Sequence, residues 1–107
     1  MNYYLRAYSI TAVVAYNDFI ATGVLAALEE NNISVPAQMS LVGFDNGLIS
    51  RYLYPKLTTI NYPIGLMAKQ ATLLSICLAE KGQCELENNM FSPTLVKRLS
   101  VSQNPET

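Results

Sequence analysis

The stretch "AYNDFIATGVLAALEE", residues 15–30, places a polar pair between two apolar patterns. Before the pair, residues 11–16 ("TAVVAY") are apolar and β-branched, which is typical of a strand covered on both faces in a parallel sheet. After the pair, apolar residues recur at helical spacing. Asn17 and Asp18 therefore lie where a strand ends and a helix begins. Two interpretations are open: the pair caps the helix, or it forms one edge of a binding site.

Outside this stretch, the chain continues to alternate between strand and helix patterns. The first ten residues have no clean period, and polar loops are predicted at 83–89 and in the tail 102–107. Strands are predicted at 11–16, 39–44, 57–62 and 94–101, helices at 18–30 and 64–81, and a short irregular or helical segment at 48–54. Pro63 and Gly82 flank the second helix at positions that these residues favour. This order predicts an α/β fold, with a mostly parallel sheet flanked by helices.

The composition is apolar for a small soluble domain. Of the 107 residues, 50% are hydrophobic and 14% are charged, whereas charged residues usually account for about 25%. We therefore expect part of the apolar surface to be covered by another chain or domain. The net charge of -1 provides no basic surface for the phosphates of a nucleic acid.

The side-chain inventory also limits the chemistry. There is no histidine and there are two cysteines, so we expect neither a zinc site nor a general base near neutral pH. We predict that the protein is not an enzyme and needs no cofactor or metal. Cys77 and Cys84 are expected to be free thiols in a reducing compartment. Because no signal peptide or membrane span is visible, we expect a cytoplasmic protein without a membrane partner.

Polar and aromatic residues follow three of the predicted strands. These are Asn17, Asp18, Asp45, Asn46, Asn61 and Tyr62. Ligands of open α/β sheets bind beyond the carboxyl ends of the strands, where such groups would converge. Amides donate and accept hydrogen bonds, carboxylates accept from two hydroxyls, and an aromatic face suits a sugar ring. A polyhydroxy ligand is one interpretation, and helix capping with loop turns is an equally open one.

Four motifs in order resemble a known family. They are "TAVVAYNDFIATG" (11–23), "VPAQMSLVGFD" (35–45), "PKLTTINYP" (55–63) and "FSPTLVKRLSV" (91–101). Together they resemble the C-terminal part of the lactose/galactose repressor (LacI/GalR) family, and galactose-type repressors most of all. Members of this family are transcription regulators with an N-terminal helix-turn-helix module. Their effector domain resembles periplasmic sugar-binding proteins and holds a sugar between two α/β subdomains.

The resemblance implies a division of the chain. Residues 1–61 and 92–103 would belong to the C-terminal subdomain, and residues 62–91 would form a crossover and a helix of the N-terminal subdomain. DNA would be bound only through a missing N-terminal module, so the chain is either an expressed fragment or a truncated reading frame. The expected function is the sugar-sensing and dimerisation portion of a repressor. The alternative is a fragment of a periplasmic-type sugar-binding protein of a transport system, against which the missing signal peptide counts.

The resemblance also assigns residues. Asn17 and Asp45 would contact the sugar, galactose by resemblance, while Tyr62 and Ile64 would line the cleft at the crossover. Asp18 is expected to be the N-cap instead. A homodimer interface is expected at Thr22, Leu25, Ala26, Tyr52, Leu53 and Tyr54, or else these residues merely cover the local core. The helix at 64–81 lacks its usual cover, so we expect homo-oligomers that form by exchange of this helix between chains.

Overall fold

The computed structural model describes residues 1–85 and 90–104, which fall into two compact units. The first unit is Met1–Asn61 with Leu95–Thr107, and the second is Tyr62–Thr94. The predicted loop at 83–89, the tail at 102–107 and the unit predicted at 62–91 each lie partly outside the described residues. The assignment of the two units to two subdomains of an effector domain stays a prediction.

The elements follow the predicted alternation of strands and helices. They are α1 Asn2–Ala7, β1 Ala12–Val14, α2 Asp18–Glu30, β2 Ser40–Val42, a 3-10 helix η1 Leu48–Arg51, β3 Thr59–Asn61, α3 Ile64–Lys81 and β4 Thr94–Val96. The predicted α/β fold is confirmed. Each strand is only three residues long and is therefore shorter than the strand predicted there. The helix α1 lies within the first ten residues, where the sequence has no clear period.

Parallel pairing brings the carboxyl ends of three strands to one edge of the first unit. β1 and β2 are parallel, with Val13 opposite Leu41. A parallel bridge between Val42 and Thr58 places β3 beside β2. The Asp45 N–H extends this pairing by donating to the Ile60 carbonyl at 2.9 Å. β4 is the neighbour of β3, so the polar residues after β1, β2 and β3 lie near each other.

The core of the first unit forms where α2 packs on the sheet. Ala15, Ala21, Leu41 and Leu57 make one buried cluster, and neighbouring apolar side chains pack against it. Helical spacing places Ala21 on the side of α2 that packs against this cluster. The prediction that strand 11–16 is covered on both faces is wrong, because Val14 is 79% exposed. The core cluster lies on one face of β1 only, and the side chains of a strand alternate between its two faces.

The last predicted strand, 94–101, ends at Val96 in the structure. The buried residue Ser100 explains the difference. It makes hydrogen bonds to neighbouring backbone groups in place of the regular backbone pairing of a longer strand. Its carbonyl accepts from the Leu41 N–H at 2.8 Å. Its hydroxyl accepts from the Thr58 N–H and donates to the Leu41 carbonyl. One serine thus joins β2 to the start of β3, and the regular ladder stops before it.

The second unit is dominated by α3, whose predicted bounds are confirmed. Pro63 precedes its first residue, and Gly82 follows its last with φ 73°, a left-handed conformation that favours glycine. No residue of α3 is buried in the structure. Within the described residues, no helix is long and apolar enough to cross a membrane.

The two cysteines form a disulfide, so the expectation of free thiols is wrong. Cys77 lies in the penultimate turn of α3 and is bonded to Cys84, with their Cα atoms 6.1 Å apart. The left-handed turn at Gly82 reverses the chain after the helix and brings Cys84 back beside it. The prediction of free thiols from cysteine count and spacing takes no account of a left-handed turn at the predicted helix end, which can bring the two residues together.

Candidate ligand-binding edge of the sheet

At the junction of β1 and α2, the cap is Asn17 and not Asp18. The Asn17 backbone is extended, and its side-chain Oδ1 accepts from the Ile20 N–H at 2.7 Å. Asp18 is already the first helical residue and is only 2% exposed. The prediction that Asp18 caps the helix is therefore wrong. The helix begins immediately after Asn17, and only a residue before the first turn can accept from its free N–H groups.

The buried Asp18 carboxylate instead ties three segments together. Its Oδ2 accepts from the Gly47 N–H at 2.7 Å, and its Oδ1 accepts from the Thr59 hydroxyl at 2.5 Å. These bonds connect the start of α2 to the loop after β2 and to β3. Gly43 makes room for this carboxylate, because a Cβ at that position would overlap Asp18 Oδ1 and crowd the Leu57 side chain.

The loop after β2 has an unusual backbone. Asp45 has φ 117° and Asn46 has φ 52°, so two consecutive non-glycine residues lie at positive φ. Asn and Asp tolerate this region better than most residues, but at a cost in conformational energy. Such a conformation persists only where neighbouring groups hold it in place.

Asn46 is held by hydrogen bonds from three directions. Its N–H donates to the Thr59 hydroxyl and its Nδ2 to Asn61 Oδ1, both at 3.2 Å. Its Oδ1 accepts from Arg98 Nη2 at 2.6 Å. Because both the nitrogen and the oxygen of its side-chain amide are hydrogen-bonded within the protein, Asn46 stabilises the loop.

Arg98 makes several further hydrogen bonds next to this loop. Its Nη1 donates to the Ser50 hydroxyl and to the Leu57 carbonyl, both at 2.9 Å. The backbone N–H of Arg98 donates to the Thr58 hydroxyl at 2.9 Å. In the described ranges, no buried side-chain nitrogen or oxygen lacks a hydrogen-bond partner, so this polar cluster is fully satisfied.

The structure brings together several of the residues predicted at the strand ends. Asp18, Asn46 and Asn61 are linked directly or through Thr59. The Asp18 N–H donates to the Phe44 carbonyl at 2.9 Å, which places the adjacent Asn17 beside the end of β2. In contrast to Asp18, Asp45 is exposed. The arrangement presents a carboxylate above a rigid polar layer, which suits hydrogen bonding to hydroxyl groups of a ligand.

Tyr62 and Ile64, the other two predicted ligand contacts, lie in the second unit. Tyr62 is half-buried, and its carbonyl accepts from the Ile64 N–H at 2.8 Å. Ile64 is the first residue of α3 and is 63% exposed. Their place in a common site with Asn17 and Asp45 stays a prediction.

Sequence reasoning missed Thr59 and Arg98. Thr59 is buried within a β-branched run and gives no sign of its hydrogen bonds. Arg98 had one signal, since it is a cation in the middle of a predicted strand, where a charged side chain needs a partner. That partner, Asn46, lies 52 residues away along the chain.

The predicted dimer residues fall on two neighbouring elements, α2 and the segment that begins with η1. Tyr52, Tyr54 and Ala26 are exposed, Tyr54 at 95%. Leu25 and Leu53 pack partly against the core. Thr22 is half-buried, and its hydroxyl donates to the Phe19 carbonyl. Leu25 and Leu53 fit the interpretation as local cover of the core, and an interface at the exposed residues stays a prediction.

Comparison with known proteins identifies the family of the chain. Residues 3–101 match the periplasmic binding protein-like domain family, and the chain belongs to that family. It is 50% identical over 97 residues to the HTH-type transcriptional regulator GalR of Escherichia coli (strain K12). That match covers 91% of this chain and 28% of the regulator. The chain thus spans less than a third of this relative, and the resemblance to LacI/GalR-type regulators is confirmed.

Solved structures place the chain in the same group. A LacI family transcriptional regulator from Enterococcus faecium with bound ribose is 33% identical, with a TM-score of 0.79 over 92% of this chain and 37% of that one. A periplasmic binding protein/LacI transcriptional regulator from Alkaliphilus metalliredigens, complexed with D-xylulofuranose, is 30% identical. Its TM-score is 0.79, over 96% of this chain and 39% of that chain. The fold is that of LacI-type effector-binding domains.

Proposed function

We propose that this chain is the sugar-sensing and dimerisation portion of a LacI/GalR-type transcriptional repressor. The observation that carries the proposal is the exposed acidic residue Asp45, which lies on a hydrogen-bonded loop at the carboxyl edge of the sheet. Ligands of open α/β sheets bind at this edge. The 50% identity to GalR favours galactose as the effector, and the two ligand-bound structures hold other sugars.

The proposed contacts differ in their chemistry. Asp45 accepts hydrogen bonds from sugar hydroxyls. Asn17 uses Oδ1 for its helix, so Nδ2, which has no partner among the described residues, donates to the ligand. Tyr62 and Ile64 contribute an aromatic face and an apolar side chain from the second unit. This combination of two polar groups and an apolar wall is typical of a small-molecule site.

The proposed partners follow from the same identification. The exposed residues Ala26, Tyr52 and Tyr54 contact a second copy of the chain, and aromatic side chains are enriched at such interfaces. DNA is bound only through a helix-turn-helix module N-terminal to the effector domain. We place the protein in the cytoplasm, where its operator would be accessible.

The function is tested by measuring DNA release by sugar in the intact protein. Labelled DNA from upstream of its own gene is mixed with the protein and titrated with D-galactose, with D-ribose and D-mannitol as comparison ligands. We expect one sugar to change the DNA affinity at least about tenfold, a coupling in the range usual for allosteric proteins. Sugar binding without any effect on DNA binding would contradict the repressor assignment and support the transport alternative.

A further inference from the structure

The Asp45 loop has a backbone conformation that depends on hydrogen bonds to neighbouring elements. Two consecutive residues, Asp45 and Asn46, lie at positive φ, and neither is a glycine. In the absence of external contacts, such a loop would sample extended conformations as well, because those are accessible to both residues. Because Asn46 follows Asp45 directly, the groups that hold Asn46 help to set the direction of the Asp45 side chain.

The hydrogen bond from Arg98 to Asn46 is the strongest candidate for that support. It is 2.6 Å long and has a charged donor, and charge-assisted hydrogen bonds are stronger than neutral ones. The same guanidinium is anchored on Ser50 and on the Leu57 carbonyl. A planar fork with several fixed donors can make all three bonds at once, which a lysine cannot do.

We propose that Arg98 is a positioning residue for the ligand: its guanidinium fixes Asn46 in the left-handed conformation and thereby orients Asp45 toward the sugar. Arg98 itself does not contact the ligand in this account. Its contribution is to remove alternative loop conformations before binding, so that less of the binding free energy is spent on ordering the loop. The inference rests on the proposed sugar site at Asp45.

The test compares sugar affinities of Arg98 variants of the intact protein by isothermal titration calorimetry with D-galactose. Arg98→Met removes the bonds, and Arg98→Lys retains the charge but not the fork. We expect both variants to bind roughly tenfold more weakly, the effect of losing one charge-assisted bond. Wild-type affinity in the folded Arg98→Lys protein would overturn the proposal even if Arg98→Met did not fold.

A double-variant comparison separates positioning from general stability. Asn46→Gly removes the acceptor of the Arg98 bond and widens the conformations open to the loop, so by itself it should weaken sugar binding. Combined with Arg98→Met, it should weaken binding by no more than roughly threefold beyond the single variants, because both changes remove the same bond. Effects of the two substitutions that simply add would contradict the positioning role.

A further control distinguishes this inference from the proposed function. Asp45→Asn preserves the loop backbone and removes one carboxylate acceptor. If Asp45→Asn weakens sugar binding and Arg98→Lys does not, only the role of Arg98 fails. If Asp45→Asn binds the sugar as wild type does, the proposed site fails, and the role of Arg98 fails with it.

Discussion

At the scale of single residues, Asp18 is a carboxylate buried among neutral partners. Burying a charge is costly unless hydrogen bonds replace its hydration. The Gly47 N–H and the Thr59 hydroxyl both donate to it, and the first turn of α2 adds the positive end of the helix dipole. Asp18 therefore stabilises the protein by connecting the start of α2 to the loop after β2 and to β3.

Replacing Asp18 by Asn should destabilise the protein. Asparagine is neutral and keeps one acceptor oxygen, so one hydrogen bond is lost and the other is no longer charge-assisted. We expect the free energy of unfolding in urea to fall by about 2 kcal/mol. Glu30→Gln, at an exposed position of the same helix, is the control and should change it by less than about 0.5 kcal/mol. Equal stabilities of the two variants would contradict the role of the Asp18 contacts.

Asn17 combines a structural and a binding role that two substitutions can separate. Asn17→Ala removes the cap and should reduce the free energy of unfolding by about 1 kcal/mol. Asn17→Asp preserves the capping oxygen and should leave stability near that of wild type. Both lack the Nδ2 donor, so both should bind the sugar more weakly in calorimetry. If Asn17→Asp binds as wild type does, Asn17 is a cap only.

The Asn17–Asp18 pair also shows which features of the site can be predicted from the sequence and which cannot. The polar pair and its place at a strand end are readable, because the hydrophobic period changes there. Which of the two caps the helix is not readable, since Asn and Asp are almost equally good caps. The answer depends on the register of α2 against Gly47 and Thr59, which are far along the chain. Arg98 was missed for the same reason.

At the scale of elements, the fit between α2 and the strand ends depends on Gly43. The residue follows β2 directly, and its N–H donates to the Thr58 carbonyl at 2.9 Å. The lack of a side chain there lets the Asp18 carboxylate approach the strand closely. The motif "VGFD" in the sequence gives no reason for this glycine, because the group that needs the space comes from another element.

Gly43→Ala is therefore expected to destabilise the first unit. The added methyl would overlap Asp18 Oδ1 and the Leu57 side chain, and forcing extra volume into a packed site costs about 1–3 kcal/mol. The matched control is Gly23→Ala, because Gly23 lies in α2 with nothing within 4 Å of an added Cβ. That variant should be more stable by roughly 0.5–1 kcal/mol. Thermal denaturation of both variants measures the difference, and the same sign for both would contradict the packing described.

The elements themselves were largely predictable, but the ends of the strands were not. The 3.6-residue period and the flanking Pro63 and Gly82 determined α3 to the residue. The strand predicted to reach Val101 stops at Val96, because the Ser100 hydroxyl replaces backbone pairing. The Cys77–Cys84 disulfide depends likewise on the turn at Gly82. Neither the Ser100 contacts nor the disulfide leaves a periodic signal in the sequence.

At the scale of the whole molecule, exposed apolar residues predict association. Tyr52 and Tyr54 are exposed beside α2, and α3 has no buried residue. We expect the chain to form dimers in sedimentation velocity experiments. Tyr52→Glu combined with Tyr54→Glu should weaken the dimer at least tenfold, as tyrosines are frequent hot spots. Tyr16→Ser, at another exposed tyrosine, is the control.

Two sedimentation results would contradict this prediction. A monodisperse monomer at every concentration would exclude both the interface at α2 and the exchange of α3 between chains. A dimer that is unaffected by the paired tyrosine substitutions would place the interface elsewhere. Weakening of the dimer by Tyr16→Ser to the same extent would show that the effect is not specific to the predicted surface.

The central claim is that Asp45 forms one wall of a sugar site at the carboxyl edge of the sheet. The most direct measurement is calorimetric titration of the intact protein and its Asp45→Asn variant with D-galactose. Asparagine tolerates positive φ, so the loop should keep its shape while one acceptor is lost. We expect the affinity of the variant to be weaker by about tenfold or more. Equal affinities of the two proteins would contradict it.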